Sequence, residues 1–215
     1  MIVGVLGKLP TNGDFVRRRV PAELAEPLDA WLAQALAASR DQLGEAWLPT
    51  YLTAPVWRFA LAAGCCGPAA AGIWLPSVDK VGRYFPCLLV AELSGAPPPT
   101  ALPWAAEPWY DHLEELALAT LGDQLSLEQL EASLDELAAP ELPEIAGGLP
   151  WRLPLAAEML APLAGLAPIG SLWWGRGSPA VPPSLLACAG LPPPDAFAAM
   201  LDGGFAGRGW TEPGP

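Results

Sequence analysis

Between residues 56 and 93 lie three apolar runs, Val56–Leu61, Ala71–Leu75 and Phe85–Leu93. They read as strands. Their connectors are short, which suits antiparallel pairing, whereas a parallel crossover needs about a dozen residues or more. Further strand patterns lie at Ile2–Leu6, ending at Gly7, and near Ile169–Trp174 and Leu185–Ala189. A short basic piece, Phe15–Val20, is compatible with extended chain.

Helical patterns fill the intervals. From Pro21 or Pro27 to Leu43, the residues Leu24, Leu28, Trp31, Leu32, Ala35, Leu36 and Leu43 share one face. Either proline fits a first turn, and Gly44 supplies a stop. Glu107–Leu121 places Trp109, Leu113, Leu116, Ala117 and Leu121 together, with Gly122 as its stop. Ser126 and Gln129 form a capping box ahead of Leu127, Leu130, Leu134 and Leu137. A short helix near Ala156–Leu163 and a terminal one at Asp195–Leu201 complete the reading. Strands at both ends with helices between them predict an α/β fold around a mixed, largely antiparallel sheet. The expected organisation is one domain over residues 1–206 and a flexible tail over 207–215.

Charge is unevenly distributed. The net charge is −12, yet residues 107–144 hold eleven Asp or Glu and no Lys or Arg. This segment is expected to be an acidic helical hairpin with its carboxylates on the outer faces. The opening of the chain is basic, with Lys8, Arg17, Arg18 and Arg19 against Asp14. Nucleic acid is a poor fit to so acidic a chain, because phosphate backbones need clustered positive charge. Met1 runs directly into a strand pattern with no secretory leader, and no apolar run is long enough to span a bilayer. With four cysteines lacking zinc spacing, these features predict a cytoplasmic protein with free thiols and neither metal nor cofactor.

Two polar loops carry the candidate chemistry. Gly7 to Asp14 follows the first strand but lacks the GxxxxGK[ST] order of a phosphate loop. Ser77 to Pro86 places Ser77, Asp79, Lys80, Gly82, Arg83 and Tyr84 between two strands, where a rigid scaffold commonly holds functional side chains. Asp79 could instead cap its turn, with Arg83 pairing a carboxylate such as Asp14. His112, the only histidine, lies among acids on a helix and reads as surface. Trp173 and Trp174, adjacent on a strand, must face opposite sides, one toward the core and the other free to anchor a partner.

The run from Gly4 to Arg19, with Gly7-Lys8-Leu9-Pro10-Thr11-Asn12-Gly13-Asp14-Phe15 at its centre, resembles the opening signature of the TagF/ImpM family of type VI secretion proteins. Ser77–Pro86 is similar to the second signature, and Trp57–Phe59, Ser171–Trp174 and the stretch from Gly190 to Leu201 fit further positions. The resemblance implies an α/β three-layer sandwich. It also implies a cytoplasmic, non-enzymatic repressor of secretion-system assembly or firing, whose partner is an FHA-domain scaffold protein. The residues then expected at a partner surface or a structural latch are Lys8, Asp14, Phe15, Arg17, Ser77, Asp79, Gly82, Arg83, Tyr84, Trp173 and Trp174. Two alternatives stand beside it: a ligand-binding or hydrolytic pocket built from Lys8, Asp14, Asp79 and Arg83, and a structural subunit of the secretion machine.

Overall fold

The computed structural model describes residues 2–122, 125–137, 140 and 169–211. Seven strands run in chain order as β1 (Val3–Gly7), β2 (Val16–Arg18), β3 (Trp57–Leu61), β4 (Ala70–Leu75), β5 (Cys87–Glu92), β6 (Ser171–Gly175) and β7 (Ser184–Cys188). The helices are α1 (Ala22–Leu43), α2 (Trp47–Leu52), α3 (Leu102–Ala105), α4 (Glu107–Leu121), α5 (Leu127–Glu136) and α6 (Ala198–Asp202). The strands form one sheet in the order β2-β1-β5-β4-β3-β6-β7. Every strand pairing is antiparallel. The sheet is therefore antiparallel among the described strands rather than mixed. The short β3–β4 and β4–β5 connections pair sequence neighbours and leave no parallel crossover there.

Period-two alternation divides the core into two layers. Trp57, Phe59 and Leu61 of β3, Trp74 of β4, Leu88 and Val90 of β5 and Trp173 of β6 pack with α1, α2 and α6. Ala60, Ala71, Ile73, Leu75, Cys87 and Leu89 face the other way, against α3, α4 and α5. The result is the three-layer sandwich that the resemblance implied. Both faces of β3, β4 and β5 are covered, so their residues are buried almost without exception.

The first layer is dominated by indoles, each removing about 150–250 Å² from water. Their N–H groups also tie distant chain segments. Trp31 donates to the Pro192 carbonyl at 2.7 Å. Trp57 donates to the Met200 carbonyl at 3.0 Å. The C-terminal segment is thereby held to both the sheet and α1.

Several boundaries differ from the sequence reading, each for a local reason. Pro21 caps α1 as expected, but Pro27 lies inside the helix. In α4, Leu121 is exposed while Tyr110 takes a core position, its hydroxyl donating to the Phe59 carbonyl at 2.9 Å. β5 begins at Cys87 because Phe85 is spent on the preceding loop, its N–H bonding the Ser77 carbonyl at 3.1 Å. The capping box on α5 is present with both reciprocal bonds. After α6, the chain expected to begin a tail at Gly207 turns back. Phe205 and Trp210 pack on the first layer, and Trp210 donates to the Ala196 carbonyl at 2.9 Å. The helix expected at Ala156–Leu163 and the last residues of the tail lie outside the described residues.

All four cysteines are free; Cys87 is buried and the others half-buried. No described helix is long and apolar enough to cross a membrane.

Candidate functional site

The two polar loops meet at one end of the sheet. β1 ends on Gly7, whose φ of 120° and position against the Pro86 carbonyl leave no room for a side chain. A Cβ there would stand 2.0 Å from the Pro86 oxygen. The Lys8 N–H then donates to that same carbonyl at 3.2 Å. The first loop is thus laid directly against the foot of β5.

The second loop is a tight hairpin turn. Gly82 N–H donates to the Asp79 carbonyl at 2.9 Å, and Gly82 adopts the left-handed φ of 87° that closes such turns. Asp79 opens the turn as aspartates commonly do, accepting at Oδ1 from the N–H groups of Val81 (3.0 Å) and Arg83 (2.9 Å). Its other oxygen, Oδ2, receives Lys8 Nζ at 2.5 Å and Arg83 Nε at 2.6 Å. Two further bonds lace the loops together. Lys80 N–H donates to the Asn12 carbonyl at 2.9 Å, and the Arg83 guanidinium donates to the Gly13 carbonyl.

The Asp79 side chain is wholly buried, whereas Arg83 remains more than half exposed. Burial by itself would raise the Asp79 carboxyl. The Lys8 ammonium and the N–H donors of Arg83 and Val81 outweigh that effect and hold it well below the usual carboxylate range. Asp14, expected as a partner of Arg83, stands 4.0 Å away and is fully solvated. That contact stands at the limit of an ion pair, and the short partner of Arg83 is Asp79.

Beneath the second loop sits an aromatic floor. The Tyr51 hydroxyl donates to the Ser77 carbonyl at 3.0 Å and accepts from the Ser77 N–H at 2.9 Å. Trp47 stacks on Tyr51 at 4.9 Å, and half-buried Tyr84 meets both rings edge-on at 6.2 Å. Ser77 itself is buried, and its hydroxyl has no partner among the described residues. Phe15 packs its edge on Phe85 at 5.5 Å yet stays 42% exposed. Arg17, on the edge strand β2, uses Nε to bond the Val20 carbonyl at 3.0 Å and is otherwise in solvent.

The tryptophan pair does not join this site. Trp173 is fully buried between Trp31 and Phe59, 5.1 Å from each ring. Trp174 faces the other layer and meets Tyr110 edge-on at 4.9 Å.

One polar constellation was missed by the sequence reading. Arg58, buried on the α4 side of β3, bonds Glu114 at 2.6 Å and Asp111 at 2.5 Å. Its guanidinium carbon also lies 5.6 Å from the Tyr110 ring centroid. Arg176 reaches Asp111 at 2.5 Å from solvent. Burial alone would lower the Arg58 pKa; its bonds to Glu114 and Asp111 raise it instead. Glu114 of the acidic hairpin therefore points inward, and half-exposed Asp111 bridges Arg58 and Arg176, so not all of the hairpin's carboxylates lie on the outer faces. The signal was available: a cation inside the apolar run Trp57–Leu61 needs a buried counter-charge.

Chemically, Asp79 is saturated. Four donors occupy its two oxygens, which leaves no lone pair placed to take a proton from a substrate. The arrangement fastens two loops.

Residues 4–137 match the family model described as the TagF N-terminal domain, type VI secretion system-associated. The fold is similar to the crystal structure of PA0076 from Pseudomonas aeruginosa PAO1, with a TM-score of 0.81 and 41% sequence identity over 94% of each chain. No curated protein matches the chain.

Proposed function

The chain belongs to the TagF family of type VI secretion-associated proteins, and from that premise we propose that it is a non-enzymatic regulator. It acts in the cytoplasm by binding a protein of the secretion apparatus, an FHA-domain scaffold, and thereby represses assembly or firing. The observation that carries this reading is the state of Asp79. The residue best placed for acid–base chemistry is buried and committed to Lys8, Arg83 and two backbone N–H groups. The laced loops are thus rigidly held, and rigid loops on a packed scaffold suit recognition, because little ordering entropy is lost on binding. The pocket alternative requires the same carboxylate to be free.

The test is genetic and biochemical together. Deleting the gene in the source bacterium is expected to raise effector secretion, and restoring it to lower secretion again. A tagged copy is expected to co-purify the FHA-domain scaffold. Unchanged secretion with no scaffold recovered overturns the proposal.

A further inference from the structure

The two laced loops divide into a buried half and an exposed half. Asp79, Lys8 and Ser77 face inward and hold the geometry. Phe15 and Val81 face outward, 42% and 67% exposed. Neither is needed to close a loop: the Asp79–Gly82 turn is held by Asp79 and Gly82, and Phe15 merely rests on Phe85. A large apolar side chain at the tip of a rigid polar turn has no folding role that solvent rewards.

Charge surrounds these two side chains. Lys80 and Arg83 flank Val81 in the chain, and Arg17 and Arg18 follow Phe15 on β2, where alternation leaves Arg17 on the side of Phe15 and turns Arg18 with Val16 toward the α5 layer. All four are exposed. Of eleven Lys and Arg in a chain of net charge −12, six (these four with Lys8 and Arg19) belong to the loops and the edge strand they lead into. Lys8 is neutralised by Asp79, and Arg19 by Asp135 and Glu131 of α5. Lys80, Arg17 and Arg18 have no carboxylate within salt-bridge distance among the described residues, and Arg83 retains an exposed guanidinium.

We propose that Phe15 and Val81, rimmed by Arg17, Lys80 and Arg83, form the docking surface for an acidic protein segment carrying a large apolar anchor. This rests on the reading of the chain as a binding module and specifies where and what it binds. Charge complementarity selects the partner: a basic rim on an acidic protein attracts carboxylates at short range, while the remainder repels them. Nucleic acid fits less well. A phosphate backbone gains nothing from two exposed apolar side chains.

The experiment places a photo-crosslinking amino acid, p-benzoylphenylalanine, singly at Val81, at Phe15 and at the control position Leu118, which is 51% exposed on α4. Each full-length variant is expressed in the source bacterium and irradiated, and the adducts are mapped by mass spectrometry. Adducts are expected at positions 81 and 15 on an Asp/Glu-rich segment of a single protein. Their yield should fall by about tenfold in a Lys80→Glu/Arg17→Glu background, as reversal of rim charges slows association. Adducts at 118 and none at 81 or 15 overturn the surface while leaving the binding module standing. So does co-purification of the scaffold without any adduct. Crosslinks at 81 to a neutral or basic segment, or to nucleic acid, overturn the partner chemistry. No adduct anywhere, with no scaffold recovered, overturns both this proposal and the function it rests on.

Discussion

Arg58 and Asp79 are each the buried centre of an ion cluster, and they do opposite jobs. Arg58 lies between two layers, on the inner face of β3, with Glu114 and Asp111 reaching down from α4. Asp79 lies between two loops, at a sheet end where Arg83 is open to water. One cluster pins a helix to the sheet; the other pins a recognition surface to itself. A buried charge in the sandwich is thus architectural, whereas the same kind of charge at a loop end can fix the shape of a surface while its counter-ion remains available to a partner.

The contrast is testable first where it is strongest. Arg58→Ala removes the only cation bonded to Glu114 among the described residues and leaves that carboxylate largely buried, while Asp111 keeps Arg176. Breaking one side of a buried ion pair costs about 3–5 kcal/mol. Denaturant unfolding should show that loss. A change below about 1 kcal/mol would mean that α4 relaxes to release its carboxylates to water, and that the cluster is not architectural.

Asp79→Asn is expected to cost less, since the turn keeps its shape and one oxygen still accepts from the backbone. Its signature is a pH dependence. Because the folded Asp79 carboxyl lies below its ordinary value of 3.8, its contribution is present above that value and is lost as pH falls through the folded pKa. Wild type should therefore lose its advantage over Asp79→Asn as the solution is acidified from about pH 5 downward. A constant gap across that range would place the Asp79 contribution in packing and not in charge.

The smallest effect belongs to the exposed pair between Arg19 and Asp135. Asp135→Ala should cost about 0–1 kcal/mol, the usual range for a solvated bridge. A larger loss would show that α5 depends on the edge strand for its position, because Arg19 holds a left-handed φ of 59° that few non-glycine residues adopt without support.

How much of this was legible differs element by element. α4 was bounded correctly because Glu107, Pro108 and Gly122 mark its ends locally, whereas β3, β4 and β5 were recognised from their continuous apolar runs with ends that differ from Val56, Ala71, Phe85 and Leu93. The two loops were singled out because Gly, Pro, Asn and Asp cluster there, and Asp79 was considered as a turn residue. Its actual partners were only half foreseen. Arg83 is four residues away, but Lys8 is separated by 71 positions, and proximity at that range follows from β1 lying beside β5. Arg58 was overlooked for the same reason in reverse. Its partners are 53 and 56 positions distant, and no local pattern shows which helix covers its strand.

The amino-acid order alone indicated most strands and the helices α1, α4 and α5 (though not α2 or α3), the antiparallel pairing of β3, β4 and β5, the charge polarity and the membership of the two loops, because each depends on neighbours along the chain. Tertiary structure alone decided the strand order, the layer each side chain enters, the pairing of Lys8 with Asp79 and of Arg58 with α4, and the return of Trp210 to the core. Those depend on contacts between segments far apart in sequence. Such contacts form when the burial of two apolar faces outweighs the entropy of closing the chain between them.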